Sequence, residues 1–119
     1  LYVADLNNGA IWTVPVTGGD ATSFATGLRD LRALAADDAW VFAADGDGRR
    51  VLQFPQRPPA GTSVQRASAA RRVPLRDLKA PAAVAIIGRG EIAVGDALLG
   101  EVRLVGFTTG SVTRVIRER

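Results

Sequence analysis

The sequence predicts an all-β fold in which a four-stranded antiparallel unit is repeated about three times. Three apolar, strand-like runs each end in aspartate, at Asp5, Asp45 and Asp96, and a β-branched residue follows six positions after each. From Asp5 to Asp45 is 40 residues, and from Asp45 to Asp96 is 51 residues. A period of about 40 to 45 residues that holds four short strands is the size of one β-propeller blade. The repeat therefore predicts a β-propeller fragment of about three blades.

Each unit is predicted to contain four strands, lettered a to d outward from the propeller axis. Strand a is an alanine-rich run, at 31–35 and 82–87, because small side chains fit where inner strands converge. Strand b is the run that ends in aspartate, and strand c begins at the β-branched residue that follows. The β-branched and aromatic residues of strands b and c favour a pleated, half-buried surface. Strand d is placed at 21–25, 69–73 and 111–116.

Glycine-containing dipeptides are predicted to connect the strands. Asn8-Gly9 and Asp47-Gly48 lie between strands b and c, and both tolerate the positive φ of tight hairpin turns. No segment shows a sustained apolar period of 3.6 residues, so helices should be few, with at most one helical turn at 75–79.

The second unit carries an insert at 56–70 that breaks the repeat pattern. Its Pro58-Pro59 pair cannot donate hydrogen bonds to a neighbouring strand and stiffens the chain, so we predict an exposed, mobile loop between strands c and d.

We expect a single arc. Blade 1 covers 1–26 without its inner strand, blade 2 covers 27–73, and blade 3 covers 74–119. Propellers close with about four to eight blades. The native object is therefore expected to be a longer chain or an assembly of arcs, two of which would make a six-bladed ring.

Composition limits the chemistry of this segment. The 119 residues are 47% apolar and 23% charged, as in a globular protein. The absence of cysteine and histidine removes disulfides, thiolate chemistry and the usual hydrolase triad. No apolar run approaches the ~20 residues that a membrane-spanning helix needs. Because the chain begins with Leu1 instead of methionine, we interpret it as an excerpt or a processed product, and its compartment stays open.

Charge is divided unevenly along the chain. Residues 1–48 carry a net charge of −5, and residues 49–119 carry a net charge of +8. The candidate binding residues of the basic stretch 49–79 are Arg49, Arg50, Arg71, Arg72 and Arg76. Such a stretch can bind an acidic protein, anionic lipid or nucleic acid, or form a solvated surface. Nucleic acid is disfavoured because aromatic residues do not alternate with these arginines. The acidic first part of another copy would suit the basic part of this chain.

The repeated aspartates have a structural and a functional interpretation. A carboxylate at a strand end can accept backbone N–H groups in the following turn, and the repetition favours this role. The functional interpretation is a metal site, with Asp45 and Asp96 as candidate members of a metal shell. No local cluster has the form of a dedicated calcium loop, and no catalytic residue is assigned.

The first repeat, Leu1 to Asp5 followed by Asn8-Gly9 and Ile11, resembles the repeat of NHL-type and related six-bladed propellers. The resemblance covers essentially the whole chain except the insert. It implies a non-catalytic segment that acts as a scaffold for a protein or ligand, inside a larger propeller or assembly, with further blades or a second arc as partners. Related lactonase-like hydrolases hold a divalent ion near the axis, which implies calcium as the possible cofactor and a calcium-dependent hydrolase as the alternative function. Binding of an anionic partner through 49–79 is the second alternative.

Overall fold

The computed structural model describes residues 1–58 and 60–117, which form three four-stranded sheets. Residues 59, 118 and 119, from the predicted insert and the end of the predicted third blade, lie outside the described part. Blade 1 contains β1 (Tyr2–Asp5), β2 (Ala10–Thr13), β3 (Thr22–Thr26) and β7 (Gln65–Arg66). Blade 2 contains β4 (Leu31–Ala36), β5 (Trp40–Asp45), β6 (Arg50–Pro55) and β8 (Arg71–Arg72). Blade 3 contains β9 (Pro81–Gly88), β10 (Glu91–Asp96), β11 (Glu101–Gly106) and β12 (Val112–Arg117).

Within each sheet the strands lie in the order in which they occur along the chain. The three orders are β1-β2-β3-β7, β4-β5-β6-β8 and β9-β10-β11-β12. All pairs are antiparallel except β3 with β7, which is parallel. The predicted all-β class and the propeller-fragment architecture are confirmed. Among the described residues, no helix is long and apolar enough to cross a membrane.

Two local predictions need correction. The expected helical turn at 75–79 does not form, because Asp77 has a φ of 58°, in the left-handed region that a right-handed helix cannot include. A short 3₁₀ turn forms instead at Ala67–Ala69. Strand d of the second unit, expected at 69–73, is reduced to Arg71–Arg72, because the preceding residues are used in this turn.

The insert at 56–70 also differs from the exposed loop that the sequence predicts. Its β7 strand pairs with β3 and becomes the outer edge of blade 1. Gln65 is only 9% exposed and Ala67 only 2% exposed. The prediction is therefore wrong for 65–67, because the chain crosses from blade 2 to blade 1 and Ala67 packs into the core between them.

Strand β5 is buried on both of its faces. Val41 and Ala43 pack into the core between blades 1 and 2, whereas Phe42 and Ala44 pack into the core between blades 2 and 3. All four are 0% exposed. Successive side chains of a strand point to opposite faces, so blade 2 joins two separate cores. In blades 2 and 3, we call the face that packs against the preceding blade the front face, and the opposite face the back face. In blade 1, the back face packs against blade 2, and the front face points away from it.

The hairpin turns place their left-handed residue four positions after each aspartate. Gly9 has a φ of 60°, Arg49 a φ of 51° and Gly100 a φ of 65°. Gly48, which the dipeptide Asp47-Gly48 suggested for this role, does not adopt a positive φ. The left-handed position thus lies four residues after the aspartate in every blade. In blade 2 this position is occupied by Arg49, which is strained in that conformation.

Candidate functional site

The Asp45 carboxylate at the end of β5 is fully buried and accepts several N–H groups. Its Oδ1 accepts from the backbone N–H of Asp30 at 2.9 Å and of Gly48 at 3.3 Å. Its Oδ2 accepts from the backbone N–H of Arg29 at 3.3 Å and from Nε of Arg50 at 3.0 Å. Because Arg29 and Asp30 lead into β4, the carboxylate ties the start of the inner strand to the turn that follows β5.

Asp96 makes the same connection in blade 3. Its Oδ2 accepts from the backbone N–H of Lys79 at 2.8 Å, and its Oδ1 accepts from that of Ala80 at 3.1 Å. The N–H groups of Leu98 and Leu99 in the following turn also donate to Oδ1, each at 3.1 Å. The structural interpretation of the strand-end aspartates is therefore confirmed in blades 2 and 3.

Asp5 has a different environment in blade 1. Its Oδ2 accepts from the side-chain Nδ2 of Asn8 at 2.9 Å. This hydrogen bond is the main reason why the pKa of Asp5 lies below its usual value. Within the described residues, β1 is strand b of blade 1 and no strand a stands before it in the sheet, so Asp5 lacks donors like those that lead into β4 and β9 in the other two blades.

Asp45 and Asp96 are held in their ionised form. Burial acts to raise the pKa of both carboxyls, but the backbone N–H donors, together with the Arg50 guanidinium at Asp45, outweigh burial and hold both pKa values below their usual range. No three histidine, cysteine or acidic side chains within residues 1–58 and 60–117 are grouped so that they could hold a metal ion. A calcium ion needs about six to eight oxygen ligands, and at Asp45 or Asp96 it would have to displace these donors.

Arg71 uses its guanidinium group to join two blades. Its Nη1 donates to Oε1 of Gln53 at 2.7 Å and to the carbonyl of Phe107 at 2.8 Å. Its Nη2 donates to the carbonyl of Thr108 at 2.6 Å. These contacts fasten the outer strand of blade 2 to the turn between β11 and β12 of blade 3. Charged hydrogen bonds of this kind are about twice as strong as neutral ones.

The remaining basic candidates divide between the interior and the surface. Arg50 forms an ion pair with Asp45, with Nη2 and Oδ2 3.0 Å apart. Arg49 and Arg72 meet beside the β5–β6 turn, where Nη2 of Arg72 donates to the carbonyl of Arg49 at 3.3 Å. Arg76 lies in the segment before β9, and Arg49, Arg72 and Arg76 are all exposed. The structure thus brings Arg49 and Arg72 together and directs Arg50 inward.

A cleft of about 530 Å³ lies between blade 2 and the insert. Its apolar lining comes from Trp40, Pro55 and Val64, and its polar groups include Gln53 and Arg66. The side-chain Nε2 of Gln65 donates to the carbonyl of Pro55 at 2.9 Å and attaches the insert to the end of β6.

This cleft could not be predicted from the sequence, because one of its walls depends on the crossing of the insert to blade 1. One signal was present in β6, where Gln53 interrupts the apolar run from Val51 to Phe54. Gln53 is only 3% exposed. Its side-chain Oε1 accepts a hydrogen bond from Arg71, and the residue also lines the cleft.

Comparison with known proteins supports the architecture. No protein-family model matches the chain, and the search of curated proteins gives no match. Among solved structures, the chain is similar to a chain in the crystal structure of a nidogen/laminin complex, with a TM-score of 0.75 and 18% sequence identity. The match covers 98% of this chain and 41% of that chain, so this chain spans less than half the length of the structure it matches. At this identity the similarity shows the fold alone: the chain has a β-propeller-type fold, and the match does not assign it to the NHL type.

Proposed function

We propose that the chain is a non-catalytic propeller segment that acts as a binding scaffold, within a larger propeller or assembly. The observation that carries this proposal is the cleft of about 530 Å³ between blade 2 and the insert. Trp40, Pro55 and Val64 give it an apolar surface, and Gln53 and Arg66 give it a few polar groups. Concave sites of this composition are the usual form of a ligand site. An extended protein segment or a small ligand fits this chemistry.

Two further observations support a scaffold over an enzyme. The buried carboxylates with lowered pKa, Asp45 and Asp96, accept backbone N–H groups and are not part of the cleft lining. The chain of the nidogen/laminin structure, which has a similar fold, belongs to a protein complex. The NHL-type character of the repeat is retained as part of this proposal, on the strength of the residues Leu1 to Asp5.

Binding of an anionic partner is a second candidate, favoured by the exposed pair Arg49 and Arg72 beside the β5–β6 turn. Arg76, which is also exposed, follows Arg72 by four positions in the chain. Exposed guanidinium groups suit a carboxylate-rich protein surface. Arg72→Gln should weaken binding of an acidic partner and reduce its salt dependence, whereas Arg57→Gln, in the exposed insert, should leave both unchanged.

Selection from a displayed peptide library tests the cleft. Binders selected on the 119-residue chain are measured by calorimetry against two variants of adjacent exposed residues, Thr62→Trp and Ser63→Trp. Thr62 lines the cleft, so a tryptophan there should fill it and abolish binding; Ser63 does not contribute to the lining, so its variant should bind normally. Binders that respond equally to both changes, or to neither, would place the binding surface elsewhere.

A further inference from the structure

The cleft between blade 2 and the insert lies where the outer strand of blade 2 is cut short. In blade 3, β12 runs beside β11 up to the pair formed by Val112 and Val105. In blade 2, β8 begins only at Arg71, opposite Gln53, so in the described chain no outer-strand residue pairs with Phe54. Phe54 and Val105 are each nine residues beyond the strand-end aspartate of their blade. The short β8 therefore leaves the outer edge of blade 2 open at the end of β6, where the cleft lies.

The open edge of β6 does not offer its backbone groups at Pro55. Proline has no backbone N–H, and the carbonyl of Pro55 already accepts Nε2 of Gln65 at 2.9 Å. A partner that adds a strand to a sheet edge depends on such backbone groups. Recognition at this end of the cleft therefore depends on side chains.

The apolar side of the cleft is built around Trp40. Trp40 lies opposite Pro55 in the β5–β6 pair, so the two side chains share a face of blade 2. This is the back face, because Phe42, two residues along the same strand, packs into the core between blades 2 and 3. Trp40 is only partly buried against that core, and Val64 of the insert adds to the apolar lining. A half-buried indole beside a proline ring suits an aromatic or aliphatic side chain.

Two guanidinium groups line the same cleft. Arg66 ends β7 and Arg71 begins β8, with the 3₁₀ turn Ala67–Ala69 between them. The described residues of the lining include no aspartate or glutamate. The four ion pairs within residues 1–58 and 60–117 involve other arginines. In the described chain, the cleft thus combines an apolar surface with two cations that no carboxylate neutralises.

Arg71 keeps donor capacity for a ligand. Its three hydrogen bonds go to the uncharged oxygens of Gln53, Phe107 and Thr108. A guanidinium group has five N–H groups, and five minus these three leaves two. The same three bonds fix the position of the group, so a ligand carboxylate does not have to order it on binding.

The placement of the two cations favours a protein segment as the ligand. Arg66 and Arg71 stand on different strands, at the two ends of a turn. Carboxylates on two different residues of a segment can bind one arginine each, with an apolar side chain between them on Trp40. A small carboxylic acid carries its charge at one end and suits only one of the two arginines.

We propose that the cleft binds a short segment of a partner protein in which acidic residues flank an aromatic or aliphatic residue. The apolar side chain packs on Trp40 and Pro55, and the carboxylates bind Arg66 and Arg71. This inference rests on the proposed function of the cleft and adds the chemistry of its ligand. The site is separate from the exposed basic surface that contains Arg72.

Calorimetry with three acetylated and amidated peptides tests the proposal. The acidic probe is Glu-Leu-Phe-Glu, and the matched neutral and basic probes are Gln-Leu-Phe-Gln and Lys-Leu-Phe-Lys. The acidic peptide should bind about threefold to thirtyfold more tightly than the neutral peptide, the effect of two partly exposed ion pairs. The basic peptide should bind more weakly than the neutral one. Raising the salt concentration from about 0.05 M to about 0.5 M should reduce the difference between the acidic and neutral peptides.

Arginine variants locate the site of the acidic preference. Arg66→Gln should weaken binding of the acidic peptide by about twofold to fivefold and leave the neutral peptide unaffected. Arg66→Lys keeps the charge and should retain most of the preference. Arg72→Gln, outside the cleft lining, should change neither affinity. Circular dichroism of each variant confirms that it is folded.

Thr62→Trp separates this inference from the proposed function, because it fills the cleft and should abolish binding of the acidic and neutral peptides alike. Equal affinity for these two peptides, with both lost in Thr62→Trp, would overturn the acidic ligand and leave the cleft as a binding site. Acidic binding that survives Thr62→Trp, or that falls equally with Arg72→Gln, would overturn the proposal by locating the anion site elsewhere. Absence of binding by all three peptides would overturn it as well. Binding of 3-phenylpropanoate as tight as that of the acidic peptide would overturn the protein segment in favour of a small carboxylic acid.

Discussion

The Arg50 guanidinium and the Asp45 carboxylate form an ion pair inside blade 2, with Nη2 and Oδ2 3.0 Å apart and the aspartate side chain 0% exposed. The same carboxylate accepts the backbone N–H groups of Arg29 and Asp30. In blade 3, Glu101 replaces Arg50, and Asp96 is held by four backbone N–H donors. Both buried carboxylates are therefore held by backbone N–H donors, and only Asp45 also has a cation as a partner.

Asp45→Asn should lower the free energy of unfolding by about 2–4 kcal/mol, measured by urea denaturation. Asparagine has one acceptor oxygen, so its amide NH₂ would face donors that now point at the second carboxylate oxygen. Asp47→Asn is the control, because Asp47 is exposed in the same turn and its change should stay within about 0.5 kcal/mol. Equal effects of the two changes would contradict the role assigned to Asp45.

Stability should fall in acid because the pKa values of Asp45 and Asp96 are lowered in the folded chain. A carboxyl with a lowered folded pKa stabilises the fold above its unfolded-state pKa, which is about 3.9 for aspartate. That contribution is lost as the pH falls through the folded pKa. The urea midpoint should vary little between about pH 7 and pH 5 from this source and fall below about pH 4. Asp96→Asn should flatten the acid limb, and an unchanged slope would exclude Asp96 as a source.

The sequence predicted the parts of the fold that depend on local pattern. The aspartate repeat located strands b and c, and the alanine-rich runs located β4 and β9 close to their observed bounds. The path of the insert was not predictable, because Gln65–Arg66 has no strand pattern and is ordered by a partner strand about 40 residues earlier. The cleft was missed for the same reason. The role of Arg71 was missed because a guanidinium that binds carbonyls of another blade looks in sequence like any surface arginine.

Arg49→Gly should stabilise the fold, because Arg49 holds a φ of 51° in the left-handed region that glycine adopts without strain. The relief is offset by the greater freedom of glycine in the unfolded chain, so we expect a net gain of roughly 0.5–1 kcal/mol in the free energy of unfolding. Gly9→Ala is the opposite test in blade 1, since a Cβ there would lie 1.9 Å from the carbonyl oxygen of Leu28. Arg49→Gly should raise the free energy of unfolding, and Gly9→Ala should lower it. A lower value for Arg49→Gly would show that Arg49 is not strained.

Arg71→Gln should loosen the junction of blades 2 and 3, because the shorter side chain cannot reach Gln53, Phe107 and Thr108 together. We expect the free energy of unfolding to fall by about 1–3 kcal/mol. Compared with the unaltered chain, native-state hydrogen exchange should become faster in β11 and β12, and it should change less in β1 and β2. Arg72→Gln, the neighbouring change on β8, serves as the control. If both variants lose protection to the same extent, Arg71 has no special part in the junction.

The insert gives the last test, because it contains adjacent residues with opposite environments. Ala67 is 2% exposed in the core shared by blades 1 and 2, and Ser68 is exposed in the same 3₁₀ turn. Ala67→Asp should lower the free energy of unfolding by about 2–4 kcal/mol, because it buries a carboxylate among apolar side chains. Ser68→Asp should change it by no more than about 0.5 kcal/mol. A mobile insert would tolerate both substitutions equally, so similar urea midpoints for the two variants would show that residues 65–67 are not anchored on blade 1.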